Sequence, residues 1–312
     1  MKQVSGILIA FAGIFLFSAK AILVKLCYIN YHLDTVTMLM LRMGFSLPLF
    51  ICIGYFKSEK NKAPLDFSAF WKIIVLGVIG YYGASYFDFL GLQYVDASLE
   101  RLILFSYPTF VVLMSLLVYK QKISAKQCIA IAITYLGICV IFFPTIMGNT
   151  VEYSLFGVIM IVISAITYAS YLVASQHFVP KFGTIRFTTT AMIVSCLMVI
   201  LHFSLDPNAH IVGLPNKVYF YGIIMAVFCT VLPSYLISEG IRQIGASKVG
   251  ILGSIGPVST ISLSIIILNE SLTLYQVAGG CIIVFGVVWL NYSKSETAQN
   301  IKCVKIATAS KL

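Results

Sequence analysis

The sequence predicts an all-α membrane protein of ten transmembrane helices, arranged as two inverted five-helix repeats. Three observations predict it. Of the 312 residues, 60% are hydrophobic and 10% charged, against roughly 45–50% and 25% in soluble domains. The apolar residues fall in stretches of about 20, the length that crosses about 30 Å of hydrocarbon as a helix; a β-barrel would instead alternate polarity in segments of about 10. Finally, the second half of the chain repeats the first.

The spans fall at about 4–25, 35–56, 71–94, 98–119, 124–143, 155–176, 187–205, 218–238, 247–268 and 273–292. Lys2 precedes the first span, Lys57, Lys60 and Lys62 lie between the second and third, and Lys72 stands at the start of the third. Lys120 and Lys122 separate the fourth and fifth, and Lys126 stands at the start of the fifth. Lys181 and Arg186 precede the seventh, Arg242 and Lys248 flank the start of the ninth, and Lys294, Lys302, Lys305 and Lys311 follow the tenth. All sixteen fall on one side; the other side receives only Lys25, Arg101 and Lys217. Cytoplasmic loops retain Lys and Arg, so both termini are expected in the cytoplasm of a bacterial-type inner membrane. Ala19-Lys20-Ala21 imitates a signal-peptide cleavage site, but the apolar run is too long and cleavage would leave nine spans. The tail 294–312, rich in Lys, Ser, Thr and Ala, is expected to be disordered.

The net charge of +10 sits in short loops and not on a folded patch, so nucleic acid is not an expected partner. Cys27, Cys52, Cys128, Cys139, Cys196, Cys229, Cys281 and Cys303 form no C-x-x-C pair and read as reduced packing residues. There is no P-loop, GxSxG, HExxH or metal-spaced His cluster, so no enzyme activity, catalytic residue, cofactor or metal is expected. His32, His177, His202 and His210 lie near span ends or in loops and are assigned no chemistry.

Sliding the chain by 149 positions aligns Gly91 with Gly240, Ala97-Ser98 with Ala246-Ser247, Pro108 with Pro257, Ser115 with Ser264, Gln127 with Gln276 and Gly137 with Gly286. A shift of 151 lays Gly6 on Gly157. The repeats are expected to span 1–148 and 149–293. Each holds five spans, an odd number, so the second enters the membrane from the opposite side. Such inverted repeats are common in secondary transporters, whose solute site lies near the midplane between the halves.

The stretch Gly240-Ile-Arg-Gln-Ile-Gly-Ala-Ser247, then Gly256-Pro257, Leu268-Asn269-Glu270 and a glycine-punctuated last helix ending near Trp289, resembles the EamA-type drug/metabolite transporter superfamily. Gly91-Leu-Gln-Tyr-Val-Asp-Ala-Ser98 with Tyr107-Pro108 resembles the same motif in the first half. The resemblance implies ten helices, inverted halves and alternating access, with solutes among amino acids, nucleosides, drugs and other metabolites. Glu270 is identified by it as a structural residue near a helix end; Gln121 stands at its first-half position.

Ionisable side chains inside a span are costly and are functional candidates by default. Here they are Lys20, Arg42, Asp88, Glu100 and Arg101, all within about 10 Å of the outer surface at 1.5 Å per residue. Pairs such as Arg42–Asp88 would nearly balance the layer. They would also hold a zwitterionic solute, close an outer gate or, at Asp88 first and Glu100 second, take up a coupling proton. Tyr81, Ser85 and Asp88 share a face of the third span, Tyr82 and Tyr86 lie towards its neighbour, and Ser164, Tyr168, Tyr171 and Ser175 stripe the sixth. Together with Tyr107 these are expected to line the solute path. Pro108 and Pro257 are candidate hinges, each removing a backbone donor. Gly77, Gly80, Gly83, Gly279, Gly280 and Gly286 read as close-packing residues.

The expected function is secondary transport, as a proton-driven exporter of a small neutral or zwitterionic metabolite such as an amino acid. Nucleosides, cationic drugs and S-adenosylmethionine-like metabolites stay open, as does a monomer or a homodimer. A receptor or scaffold is disfavoured because it has no need of two opposed copies.

Overall fold

The computed structural model describes residues 2–56, 67–119, 125–146, 154–244, 252–253 and 255–289. The tail, Gln121, residues 247–251 of the ninth expected span and the side chain of Ser175 lie outside them.

Every regular element among the described residues is helical. The first span is α1 (Lys2–Tyr31) and the second α2 (Thr35–Phe56), whose N-terminus is capped where Asp34 Oδ2 accepts from the Thr37 amide at 2.8 Å. The third runs as α3 (Phe67–Leu76), a π-helical segment (Gly77–Gly83) and α4 (Ala84–Tyr94). The fourth breaks at Phe105–Ser106 into α5 (Ala97–Leu104) and α6 (Tyr107–Tyr119). Then come α7 (Ala125–Ile146), α8 (Leu155–Phe182) and α9 (Thr184–Leu205). The eighth is α10 (Asn216–Ala226), a second π-helical segment (Val227–Val231) and α11 (Leu232–Ile244). These make eight helices long and apolar enough to cross a membrane. Two shorter apolar helices follow. One is α12 (Ile255–Leu263), continued by π-helical Ser264–Leu268. The other is α13 (Leu274–Trp289), which starts with a reciprocal cap: Gln276 Oε1 accepts from the Thr273 amide and Thr273 Oγ1 from the Gln276 amide.

Pro108 is the second residue of α6 and Pro257 the third of α12. In the first turn a missing N–H leaves no internal bond unmade, so these prolines start helical segments instead of kinking them.

Helix α1 packs on α11 and α12, α2 on α9, and α4 on α8. Equivalent glycines sit in matching contacts. A Cβ on Gly6 would meet Ile244 and Gln243 at 2.6 and 2.9 Å, and one on Gly157 would meet Tyr94 and Val95 at 2.8 and 2.9 Å. A Cβ on Gly91 would strike Ile161 and one on Gly240 would strike Ala10. Where α7 crosses α13, Gly137 abuts the Gly279 carbonyl and Ile283, and Gly286 abuts the Ala130 carbonyl and Thr134. Large apolar side chains such as Leu117 and Ile266 are exposed on the outside of the bundle, as lipid-facing residues are.

Candidate functional site

Lys20, Arg42, Asp88, Glu100 and Arg101 are all buried, none more than 6% exposed. Their placement follows from helix packing: α1 carries Lys20, α2 Arg42, α4 Asp88, and α5 both Glu100 and Arg101. Lys20 Nζ donates to Asp88 Oδ2 at 2.5 Å. This differs from the expected Arg42–Asp88 pair. Arg42 donates instead to Ser85 Oγ at 2.8 Å, one turn before Asp88, and its Nε–H finds no acceptor. The difference has a simple origin, since the sequence gives each residue a depth but not the rotation of its helix about its axis. Arg101 reaches across to the second half: its Nε donates to Thr260 Oγ1 at 3.0 Å, and Thr260 Oγ1 donates to the Ser18 carbonyl at 3.1 Å.

Two phenylalanines spread the positive charge. Lys20 Nζ lies 5.2 Å from the Phe17 ring centre and 5.6 Å from that of Phe89. Arg42 Cζ lies 4.6 Å from Phe89 and Arg101 Cζ 5.7 Å from Phe17. Each ring thus serves two cations through its negative face. Sequence reasoning passed over both, because a phenylalanine in an apolar helix carries no signal of its own.

The carboxyl groups of Asp88 and Glu100 are neighbours that act on each other, yet Asp88 Oδ1 and both Glu100 oxygens receive no donor from any described residue. A carboxylate can only accept, so a proton held between the two groups is what would join them.

The aromatic candidates divide into two groups. Tyr81 meets Tyr171 edge to face at 5.5 Å, Tyr171 stacks on Tyr168 and Phe187, and Tyr168 meets Tyr107 at 5.3 Å. This chain runs from the third span through the sixth to the fourth. Tyr81 also lies beside Ser234 of the eighth span. Ser164 donates to the Ala84 carbonyl at 2.7 Å, just past the π-helical segment of the third span. Tyr82 and Tyr86 stand apart, stacked on one another around His202, with Tyr82 Oη 2.7 Å from His202 Nδ1. A 340 Å³ cavity lies elsewhere, lined by Met114, Leu117, Val118, Ser170, Val173 and Ala174; none of the charged residues borders it.

At the end of the bundle that carries Asp96, a carboxylate from the second half closes the first. Glu270 accepts from the amides of Ala97 and Ser98 at 2.9 and 3.1 Å and from Ser98 Oγ at 2.5 Å, and Ser98 Oγ also meets Ser264 Oγ. Asp96, at the N-cap position of α5, makes no side-chain cap itself. Burial and the neighbouring Glu270 push its carboxyl above its ordinary range, against the pull of Lys25. Lys25 ties down the preceding turn by donating to the Leu92 and Val95 carbonyls.

The model of the EamA-like transporter family matches this chain twice, over residues 4–143 and 155–292. The chain belongs to the EamA-like transporter family. It is 28% identical over 305 residues to the uncharacterized transporter YcbK of Bacillus subtilis, with 96% of each chain covered. It is 25% identical over 268 residues to the uncharacterized transporter sll1319 of Synechocystis, covering 82% of this chain and 79% of that one. A solved structure described as "Crystal structure of protein" aligns over 92% of this chain and 96% of its own with a TM-score of 0.63; at 17% identity the likeness is one of fold. The protein is therefore a multi-pass membrane transporter, and its helices and lipid-facing surface are those of one.

Proposed function

We propose that this EamA-like protein is a secondary active transporter that exports a small neutral or zwitterionic metabolite, such as an amino acid, by proton-coupled alternating access. The observation that carries the proposal is the buried cluster of Lys20, Arg42, Asp88, Glu100 and Arg101, where helices of the first half meet Thr260 of the second. Structural ion pairing alone would leave no orphaned groups, whereas Arg42 Nε, Arg101 Nη2 and both Glu100 oxygens lack partners here. Buried groups of this kind are costly unless something completes them during the cycle. Asp88 and Glu100 are the pair proposed to carry the coupling proton. Tyr81, Tyr107, Tyr168 and Tyr171 form the aromatic wall of the path, and the break before Pro108 and the start of α12 at Pro257 serve as its hinges.

In this reading ten spans form two inverted repeats, 1–148 and 149–293, with both termini and the tail 294–312 cytoplasmic in a bacterial-type inner membrane. The paired family matches and the matching glycine contacts of the two halves support it. So do the π-helical segments at 77–83 and 227–231, which nearly coincide under the 149-residue shift. The end with Asp96 and Glu270 is then the outer face.

The test is reconstitution in liposomes, screening labelled amino acids, nucleosides and cationic drugs with and without an imposed pH gradient. Flux of one class, accelerated by the gradient, is expected, and Arg42→Ala reduces it in folded protein. Absence of flux for every class refutes the reading.

A further inference from the structure

Resting on the transport reading above, we propose that Arg42 is the residue that binds the solute, that it does so through a carboxylate, and that a solute ammonium group is not recognised by Asp88. Three observations converge on it. Asp88 is already engaged, its Oδ2 held by Lys20 at 2.5 Å, so an incoming ammonium would have to displace a buried ion pair. Arg42 is the reverse case. It is 2% exposed, no carboxylate among the described residues comes within ion-pairing distance of it, and its Nε–H points at no acceptor. Guanidinium is the side chain best shaped for a carboxylate, and here none of the described residues pairs with it.

The charge count agrees. The cluster holds three cations, Lys20, Arg42 and Arg101, against two carboxyl groups, Asp88 and Glu100. With both acids ionised one positive charge is left over; with a proton shared between them, two are. A buried excess of cation is unfavourable until an anion completes it. The surroundings of Arg42 define what that anion looks like. Phe89 covers one face of the guanidinium at 4.6 Å, Ser85 occupies one of its N–H groups, and Tyr81, whose ring begins the aromatic chain to Tyr171, stands beside it. Asp88, paired with Lys20 and beyond ion-pairing distance of Arg42, and Cys196 and Cys229 of the second half also lie near it. This is a place for one carboxylate on an apolar or aromatic body, not for a polyphosphate.

The experiment uses phenylalanine, 3-phenylpropanoate and 2-phenylethylamine, which share a body and differ in carrying both groups, the acid alone or the amine alone. Thermal unfolding of the full chain purified in detergent is followed against the concentration of each. Phenylalanine and 3-phenylpropanoate are expected to stabilise with similar midpoints, and the amine to require about thirtyfold more, the equivalent of the roughly 2 kcal/mol at stake in an unpaired buried charge. Arg42→Gln removes the preference for the acid, and Ser85→Ala, which leaves the guanidinium intact but unanchored, weakens it. An amine as effective as phenylalanine overturns the proposal, and so does the absence of stabilisation by either acid. Transport is scored separately on the wider solute panel. Flux indifferent to the carboxyl group sinks the role of Arg42 while leaving the transporter standing, and no flux with any solute sinks the transporter.

Discussion

Replacing Asp88 by Asn keeps the shape of the side chain and removes its charge, and the cost can be worked from what surrounds Lys20. Apart from Asp88 Oδ2 at 2.5 Å, the ammonium lies against the rings of Phe17 and Phe89, with the Glu100 carboxyl in its field. Breaking one partner of a buried ion pair costs about 3–5 kcal/mol; the amide oxygen still accepts one bond, so about 3 kcal/mol is expected for Asp88→Asn. Lys20→Met is milder, about 2 kcal/mol, because Asp88 keeps the field of Arg101 and of Arg42. The double variant leaves no uncompensated charge at this pair, only a poorly bonded amide, and costs about 2 kcal/mol. The coupling energy is then about 3 kcal/mol. Equilibrium unfolding in mixed micelles measures all four proteins. A double variant that loses the full sum of the two single losses would mean that Lys20 and Asp88 do not depend on each other, and the description of the cluster would be wrong.

Two further outcomes are expected. Glu270→Ala strips three acceptor contacts from the start of α5 and lowers protection of the 97–104 amides to hydrogen exchange by about thirtyfold, the upper end for a lost helix cap at roughly 2 kcal/mol; Glu270→Gln, still able to accept on one oxygen, loses less. Gly279→Ala sets a Cβ 2.5 Å from the Gly137 carbonyl oxygen, where backbone cannot yield, and destabilises by about 1–3 kcal/mol in the same unfolding assay. Gly83→Ala, whose nearest neighbour would be 3.5 Å away, serves as its control.

Eight of the spans, those found as long apolar helices among the described residues, were legible because a helix in lipid must satisfy its own backbone, and about 20 apolar residues leave an unmistakable trace. That Lys20, Arg42, Asp88, Glu100 and Arg101 lie inside helices and not in loops was legible for the same reason, and the structure buries all five. Partner choice was not. Lys20 and Asp88 are 68 residues apart, and nothing local distinguishes Lys20 from Arg42 as the cation that meets Asp88. The break at Phe105–Ser106 was announced by Pro108, but the π-helical segment at Gly77–Gly83, where Gly80 and Gly77 lie against Tyr171 and Ala191 of distant helices, leaves no comparable mark. His202 was set aside as a residue near a span end, and its contacts with Tyr82 and Tyr86 come from α9 lying against the third span. Glu270 was identified as structural through resemblance; that its structural task is to cap a helix of the other half could be seen only once both halves were folded together.

The one-sidedness of the charged cluster bears on how the protein is made. A chain emerges from its N-terminus, and all five buried ionisable residues precede residue 102. The newborn first half can cover most of its own charge at once, through Lys20 with Asp88 and Arg42 with Ser85. Arg101 must wait for Thr260, and the bare amides of Ala97 and Ser98 for Glu270. Until those residues are synthesised the fourth span is an unfinished element in the bilayer, and its completion is the step that welds the late half to the early one.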